Sequence, residues 1–325
     1  MSLSKRQDRQ ERNYLINSAK DFAQRSTSVE NLTTSYVFEA LDRHAHKNTG
    51  NFTGTPTVAR SVDSPNAKTK YCSDLSGQFD DTSAELSECQ PIESVNSREL
   101  AGETVSLSVW VKSSSCTTLR LDLSSADVED VFTAVTSEHS EVKTIVDDGN
   151  WQLVEFTNIS LSSNVSRGLL KELTFVNAQD TTGATSHKIT RAKLNIGSTA
   201  QDWSYNGRDY EDELHKCKRY YEKSYLLDVN PGTITTAGAI YGVPSGTGAN
   251  SLWHNTSVII KRAISTVVTY NPATGATGSW DRAATPIASQ VPMISTQIVR
   301  ITNSAATNDN NGHSIHYTAD AEMAI

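Results

Sequence analysis

Between Glu103 and Ser113 the chain reads ETVSLSVWVKS, and this stretch constrains the fold more than any other. Val105, Leu107, Val109 and Val111 fall on one side of a period-two repeat, and Ser106, Ser108, Trp110 and Lys112 on the other. A helix would scatter those four apolar residues around its circumference, whereas a strand gathers them on one face. TLRLDLSS repeats the pattern, with Leu119, Leu121 and Leu123 inward and Arg120 and Asp122 outward. WQLVEFTNISL, KELTFVNA and HKITRAKLNIG follow in the same style, separated by turn residues. Helical periodicity is weak throughout, so antiparallel sheets with one solvated face are expected, in a β-sandwich or jelly roll.

At 325 residues the chain is long enough for two domains. Residues 1–13 are almost wholly polar, with Lys5, Arg6, Arg9 and Arg12 set against Asp8 and Glu11, and read as an arm that anchors on a larger partner or stays mobile. Residues 14–207 form the jelly roll. Within them YVFEAL reads as a strand, and HKNTGNFTGTPTVARSVDSPNAK (46–68) as loops with short β pieces. A boundary helix is expected over 208–228. Asp209, Glu211, Asp212 and Glu213 at its front and Lys216, Lys218, Arg219 and Lys223 behind them suit the helix dipole, and Leu214, Cys217 and Tyr221 supply an apolar stripe. Residues 229–325 make a smaller all-β domain, with strands in SVIIKRAISTVVTYNPATGATGSWD, STQIVRITNS and HSIHYTADAEMAI. No fixed-period repeat is visible, which argues against a β-helix or a propeller.

Composition narrows the functional classes. Hydrophobic residues make up 37% and aromatics 7%, with the polar excess carried by Ser, Thr and Asn; mean hydropathy is -0.44. The net charge of -8 gives no global attraction to nucleic acid or to an anionic membrane. MSLSKRQDRQERN has no apolar h-region, and no run reaches the length of a membrane span, so synthesis in a cytosol without export or membrane insertion is expected. Cys72, Cys89, Cys116 and Cys217 lack CxxC or His spacing and read as free thiols, although a Cys72–Cys89 bridge would close a short loop. The sequons at Asn31, Asn51, Asn158, Asn164 and Asn255 carry no weight without a secretory route.

There is no GxSxG, HExxH, P-loop or GxGxxG. The acidic clusters Asp80/Asp81, Asp127/Glu129/Asp130 and Asp147/Asp148 read as solvated loop carboxylates rather than a glycosidase pair, and the second lacks the spacing of a Ca²⁺ loop. His44 and His46 point to one face of a strand, with His313 and His316 near the end of the chain, but no third metal ligand is identifiable. No catalytic residue, metal or cofactor is expected. A sugar binder would instead use flat rings against pyranose faces. The candidates are Trp110 on the polar face of its strand, with Trp253 in SLWHN and Trp280 in GSWD in turn-like settings; for Trp110 the competing reading is packing under a loop.

RNYLINSAKDFAQRSTS resembles the opening of the tail-fibre and head-fibre proteins of tailed-bacteriophage virions. Phe22, Ala23, Gln24 and Arg25 match that family's turn, with Ser26 where Gly is usual. The box Glu213, Cys217, Arg219, Tyr220, Tyr221, Lys223 and Ser224 is similar to the one that follows the family's carbohydrate-binding-module-like jelly roll, and TYNPATGATGSWD and IHYTADAEMAI resemble its C-terminal β domain. The resemblance implies a structural virion-surface protein, assembled in the bacterial cytoplasm, homotrimeric, and attached through the arm to other tail or capsid proteins. It would touch a host-surface glycan. Cys217, Arg219, Tyr220, Tyr221 and Lys223 would then serve an interdomain or oligomer contact. The alternatives are a capsid-decorating head fibre that braces the shell and a glycan-degrading tailspike-like enzyme; the resemblance supplies no catalytic residues.

Overall fold

A computed structural model describes residues 11–176, 183–204, 210–242, 253–282, 285–304 and 312–325. The protein is all-β, and every strand pairing among the described residues is antiparallel. It divides into two compact units: residues 1–23, 27–210 and 323–325 in one, and 24–26 with 211–322 in the other. A contiguous division of the sequence misses both short exchanges, because three residues carry no periodicity.

The first unit is a sandwich of two six-stranded sheets. Sheet 1 runs β1 (Ser28–Val29), β4 (Phe52–Val62), β5 (Tyr71–Phe79), β12 (Thr185–Ile196), β7 (Thr104–Ser113), β10 (Gln152–Ser160). Sheet 2 runs β2 (Val37–Leu41), β3 (His44–Thr49), β6 (Glu85–Ile92), β11 (Leu169–Val176), β8 (Thr118–Val128), β9 (Val131–Thr144). The alternation of β7 and β8 is realised as read: Val105, Leu107, Val109 and Val111 meet Leu119, Leu121 and Leu123 in a single core. Each such side chain stabilises the sandwich by about 1.5–3 kcal/mol.

Two expectations need correcting here. Segment 46–68 is mostly strand, spanning the end of β3 and all of β4, since pairing with β6 and β5 overrides its turn-forming composition. The arm also ends earlier than residue 13. Arg12 pairs with Glu99 at 2.9 Å, and Asn13 Oδ1 accepts from the Leu194 amide at 3.1 Å, which fixes both residues to the sandwich. Lys5, Arg6 and Arg9 lie outside the described residues.

Behind Asn13 the chain carries Lys20 into the sandwich at φ 62°. Its ammonium donates to both oxygens of Glu88 at 2.8 Å and sits 3.0 Å from His44 Nδ1. Lys171 approaches Glu88 at 3.4 Å, and His46 Nε2 lies 3.1 Å from Ser73 Oγ. Lys20, His44, His46, Glu88 and Lys171 are all fully buried.

The second unit holds an eight-stranded sheet with the path β13 (Tyr221–Lys223), β20 (His313–Asp320), β17 (Ser279–Arg282), β18 (Thr285–Ile294), β19 (Ile298–Asn303), β15 (Trp253–Ser257). β14 (Ile240–Gly242) and β16 (Thr266–Tyr270) also pair with β20. Its core gathers Val258, Trp280, Ile287, Val299, Ile301, Ile315, Tyr317 and Ala319. The expected helix occupies Tyr210–Lys218, with acidic residues in its first turn and basic ones in its last. It stops well short of residue 228 because Tyr221–Lys223 joins the edge of β20, and the Ala321 amide bonds back to the Tyr220 carbonyl at 2.7 Å.

Candidate functional site

The outward side of sheet 1 is built by the same alternation that fills the core. With Val109 and Val111 inward, β7 must turn Ser108, Trp110 and Lys112 out. On β12, Lys188 and Thr190 flank the inward Ile189, and on β5 Asp74 stands beside the inward Leu75. On β10, Val154 points into the core, so Trp151 and Leu153 share the outer face; Leu153 lies opposite Trp110. Asp63 follows the end of β4.

These side chains form a connected polar row. Asp63 Oδ1 accepts from Trp151 Nε1 at 3.0 Å, while its Oδ2 accepts from Lys112 at 3.1 Å and Lys188 at 2.9 Å. Asp74 accepts from Ser186 at 2.6 Å and Ser61 at 3.0 Å, with Lys188 at 3.5 Å. Burial pushes the Asp63 carboxyl up, but the hydrogen bonds from Lys188, Trp151 and Lys112 outweigh it and hold the group down at about 2. Cys72, fully buried in the same face, has its thiol pushed up to about 12 by burial and is inert at neutral pH.

Next along the face, Trp110 Nε1 donates to Asp202 Oδ1 at 3.0 Å, and Asp202 Oδ2 accepts from Arg191 at 2.9 Å. The Arg191 guanidinium lies 5.5 Å from the Trp110 ring and 5.6 Å from the buried Trp203 ring. Segment 197–203 crosses this end of the face and accepts from Ser106 at Gly197 and from Ser108 at Gln201. Trp110 and Trp151 are therefore half-buried rings, pinned at their N–H edges. Among the described residues Trp151 has neither a cation nor a second ring against it. The outer face of sheet 2 is more occupied: the Lys47 ammonium covers the Tyr36 ring at 4.2 Å, Tyr36 donates to Glu172, and Arg120 bridges Glu85 and Asp122.

The other sequence candidates fall elsewhere. Trp280 is not a surface ring: it is 0% exposed, packed in the second core, and donates from Nε1 to the Thr302 carbonyl at 3.3 Å. β17 places it on the inward side, which its turn-like sequence setting concealed. Trp253 pairs with Thr302 on β15, and its side chain lies outside the described residues. Trp151 was missed because it precedes its strand; the signal was its outward parity with Leu153.

The acidic clusters serve local structure. Asp81 accepts from Ser83 and Asn51, Asp80 from Thr53, Asp130 from Ser94, Glu129 from Arg98, and Asp148 from Asn150. His44 and His46 do meet a third group, Glu88, but the Lys20 ammonium occupies the middle of the cluster; no group of three His, Cys, Asp or Glu among the described residues is spaced to hold a metal. His316 stacks on Tyr225 at 3.6 Å. All four cysteines are free and buried; Cys72 and Cys89 stand on different sheets, so the bridge between them does not form.

The box residues organise the second unit. Cys217, Tyr220 and Tyr221 are buried, Arg219 is half-buried, and its carbonyl accepts from the Arg262 amide. Lys223 donates to the carbonyls of Leu227 at 2.8 Å and Val229 at 2.7 Å, closing a turn. The two stretches that carry the family resemblance meet here: Gln24 donates to the Tyr221 carbonyl at 3.1 Å, and the Arg25 guanidinium lies 3.9 Å over the Tyr221 ring while pairing with Asp320 at 3.1 Å.

No family profile matches the chain, and no curated protein matches it in sequence. Among solved structures it is similar to the enzymatically active domain of tailspike protein 4 of bacteriophage CBA120, with 13% identity and a TM-score of 0.36 over 57% of this chain and 21% of that one. It is also similar to the carbohydrate-binding module TmCBM61 in complex with β-1,4-galactotriose (13% identity, TM-score 0.34, 57% and 99% of the two chains). A third likeness is to the family 11 carbohydrate-binding module of Clostridium thermocellum in complex with a β-1,3-1,4-mixed-linked tetrasaccharide (15%, 0.30, 51% and 97%). The chain thus spans about a fifth of the tailspike domain it matches. Likenesses this weak say nothing about what this chain binds.

Proposed function

We propose that the protein is a structural, fibre-type attachment protein of a tailed-phage virion whose sandwich binds a surface glycan through the outer face of sheet 1. The observation that carries the glycan reading is the pair Trp110 and Trp151. Both indoles stand on a solvent-facing polar sheet, and each is fixed at its N–H edge by a carboxylate. A ring held in this way keeps its face for a pyranose and loses little freedom on binding. Binding outweighs cleavage as a reading because Asp63, the carboxylate beside Trp151, already accepts from Trp151, Lys112 and Lys188. A glycosidase needs one carboxylic acid with a raised pKa, and Asp63 is driven the opposite way.

The virion assignment rests on the resemblance of residues 12–28, of the box within 213–224, and of TYNPATGATGSWD and IHYTADAEMAI. A homotrimer on the particle would multiply weak single-site affinities, so about millimolar binding per site suffices. In affinity electrophoresis the full chain is expected to be retarded by the surface polysaccharide of its bacterial host, and Trp151→Ala to run as in a plain gel. Equal retardation of both would remove the sheet 1 face from the account. Mass spectrometry of purified particles tests the virion reading separately, and absence of the chain from them would end it.

A further inference from the structure

Resting on the glycan reading, the hydrogen-bond pattern of the same face identifies the class of sugar. Its carboxylates are already drawn into hydrogen bonds within the face. Both oxygens of Asp63 and both of Asp74 already accept, and Asp202 Oδ1 takes the Trp203 amide at 2.8 Å in addition to Trp110 Nε1. The nearby hydroxyls are out of a ligand's reach, since Ser106, Ser108 and Thr190 are fully buried and each donates to a backbone carbonyl. Glu155, opposite Ser108, lies beyond Leu153, on the side away from Lys112.

What remains open is a donor. An ammonium has three N–H groups, and Lys112 places one on Asp63 while 29% of its side chain stays exposed. Asp63 ties that ammonium to the Trp151 indole, since one carboxylate takes both. A sugar lying on Trp151 would therefore meet a cation with spare donors, beside a carboxylate that already accepts three hydrogen bonds. Neutral hydroxyls need both kinds of partner, whereas a carboxylate or phosphate substituent needs only donors. We infer that the ligand is a glycan carrying anionic substituents, with the sugar ring on Trp151 and the anion on Lys112. The chain's net charge of -8 opposes unspecific attraction of a polyanion, so recognition must come from this face.

The test is affinity electrophoresis of the full chain in four gels: polygalacturonate, its carboxyl-reduced galactan, phosphorylated dextran and plain dextran. Retention by a charged polymer should exceed that by its neutral counterpart about fivefold, the size of one exposed charge-assisted contact; the gel that retains more separates carboxylate from phosphate. Lys112→Met should fall to the neutral level, and Trp151→Ala should lose retention, both with unchanged melting. Equal retention by charged and neutral polymers overturns the inference and leaves the glycan reading standing. So does retention by neither charged polymer, in which case the glycan reading falls only if the host polysaccharide also fails to retard the chain. Retention that survives Trp151→Ala and vanishes in high salt would mark unspecific attraction and end the proposal.

Discussion

Glu88 accepts from Lys20 through both oxygens, with Lys171 and two histidines packed around it in the dry interior of the sandwich. Burial pushes its carboxyl up, but Lys20, His44 and Lys171 together drive it well below the usual carboxylate range. Burial also lowers the Lys20 ammonium, from 10.5 to about 8, against the pull of Glu88. Removing the single carboxylate strands two buried lysines, so Glu88→Gln should destabilise the protein by about 3–5 kcal/mol in urea unfolding; a loss of less than about 1 kcal/mol would show the cluster to be hydrated. Lys20 gives a signed prediction as well. Between pH 8 and 10.5 the unfolded chain holds a proton that the folded chain has released, so stability rises with pH through that window. From pH 8 to about 9 the urea midpoint of the wild type should gain on that of Lys20→Met; above pH 9 the buried thiols of Cys72 and Cys116, pushed up to about 12, give both proteins the opposite slope, so the Lys20 effect is read as the difference between the two. None of this was legible in the sequence, where Lys20, Glu88 and Lys171 are ordinary charges in three unrelated strings. His44 and His46 were seen to share a face, but which face depends on the register of β3 against β6.

Elements were legible where one periodicity ruled. β7 and β8 could be read residue by residue because each has one buried and one solvated face, and Trp110 came out on the solvated side for the same reason. β9 left no such signal, since nearly every residue from Val131 to Thr144 is exposed or half-exposed and only Phe132 is buried. The helix was found but overrun, because Tyr221 fits a helical stripe and an edge strand equally well until β20 is there to pair with it. Lys223, expected in the boundary helix and at an interdomain or oligomer contact, clasps a turn; Lys223→Met leaves two carbonyls without this donor and should cost about 2 kcal/mol. Gly275 also belongs at this scale: at φ +74° a Cβ would stand 2.2 Å from the Gly232 carbonyl oxygen. Gly275→Ala should destabilise the protein through both strain and clash, by about 1–3 kcal/mol, and so lower the melting temperature; an unchanged melting curve would contradict the backbone geometry of that turn.

For the molecule as a whole, three histidines buried in the sandwich set the acid limit. Burial lowers His44 and His187 to about 3, and it lowers His46 as well. From pH 6.5 downward the unfolded chain takes up protons that these rings refuse, so stability should fall by up to about 1.4 kcal/mol per pH unit for each. Glu88 adds to the same slope below pH 4.5. Urea midpoints that stay level from pH 7 to 5 would mean the rings are hydrated. The distinction between a tail fibre and a shell-bracing head fibre belongs to copy number on the particle, a handful of chains against tens or more. The central claim, that the glycan lies across Trp110 and Trp151, is tested most directly by the indole N–H resonances of the five tryptophans of the full chain, titrated with host polysaccharide. The account predicts that Trp110 and Trp151 shift together while Trp280, enclosed in the second core, stays still. Binding that leaves Trp110 and Trp151 unmoved would contradict it.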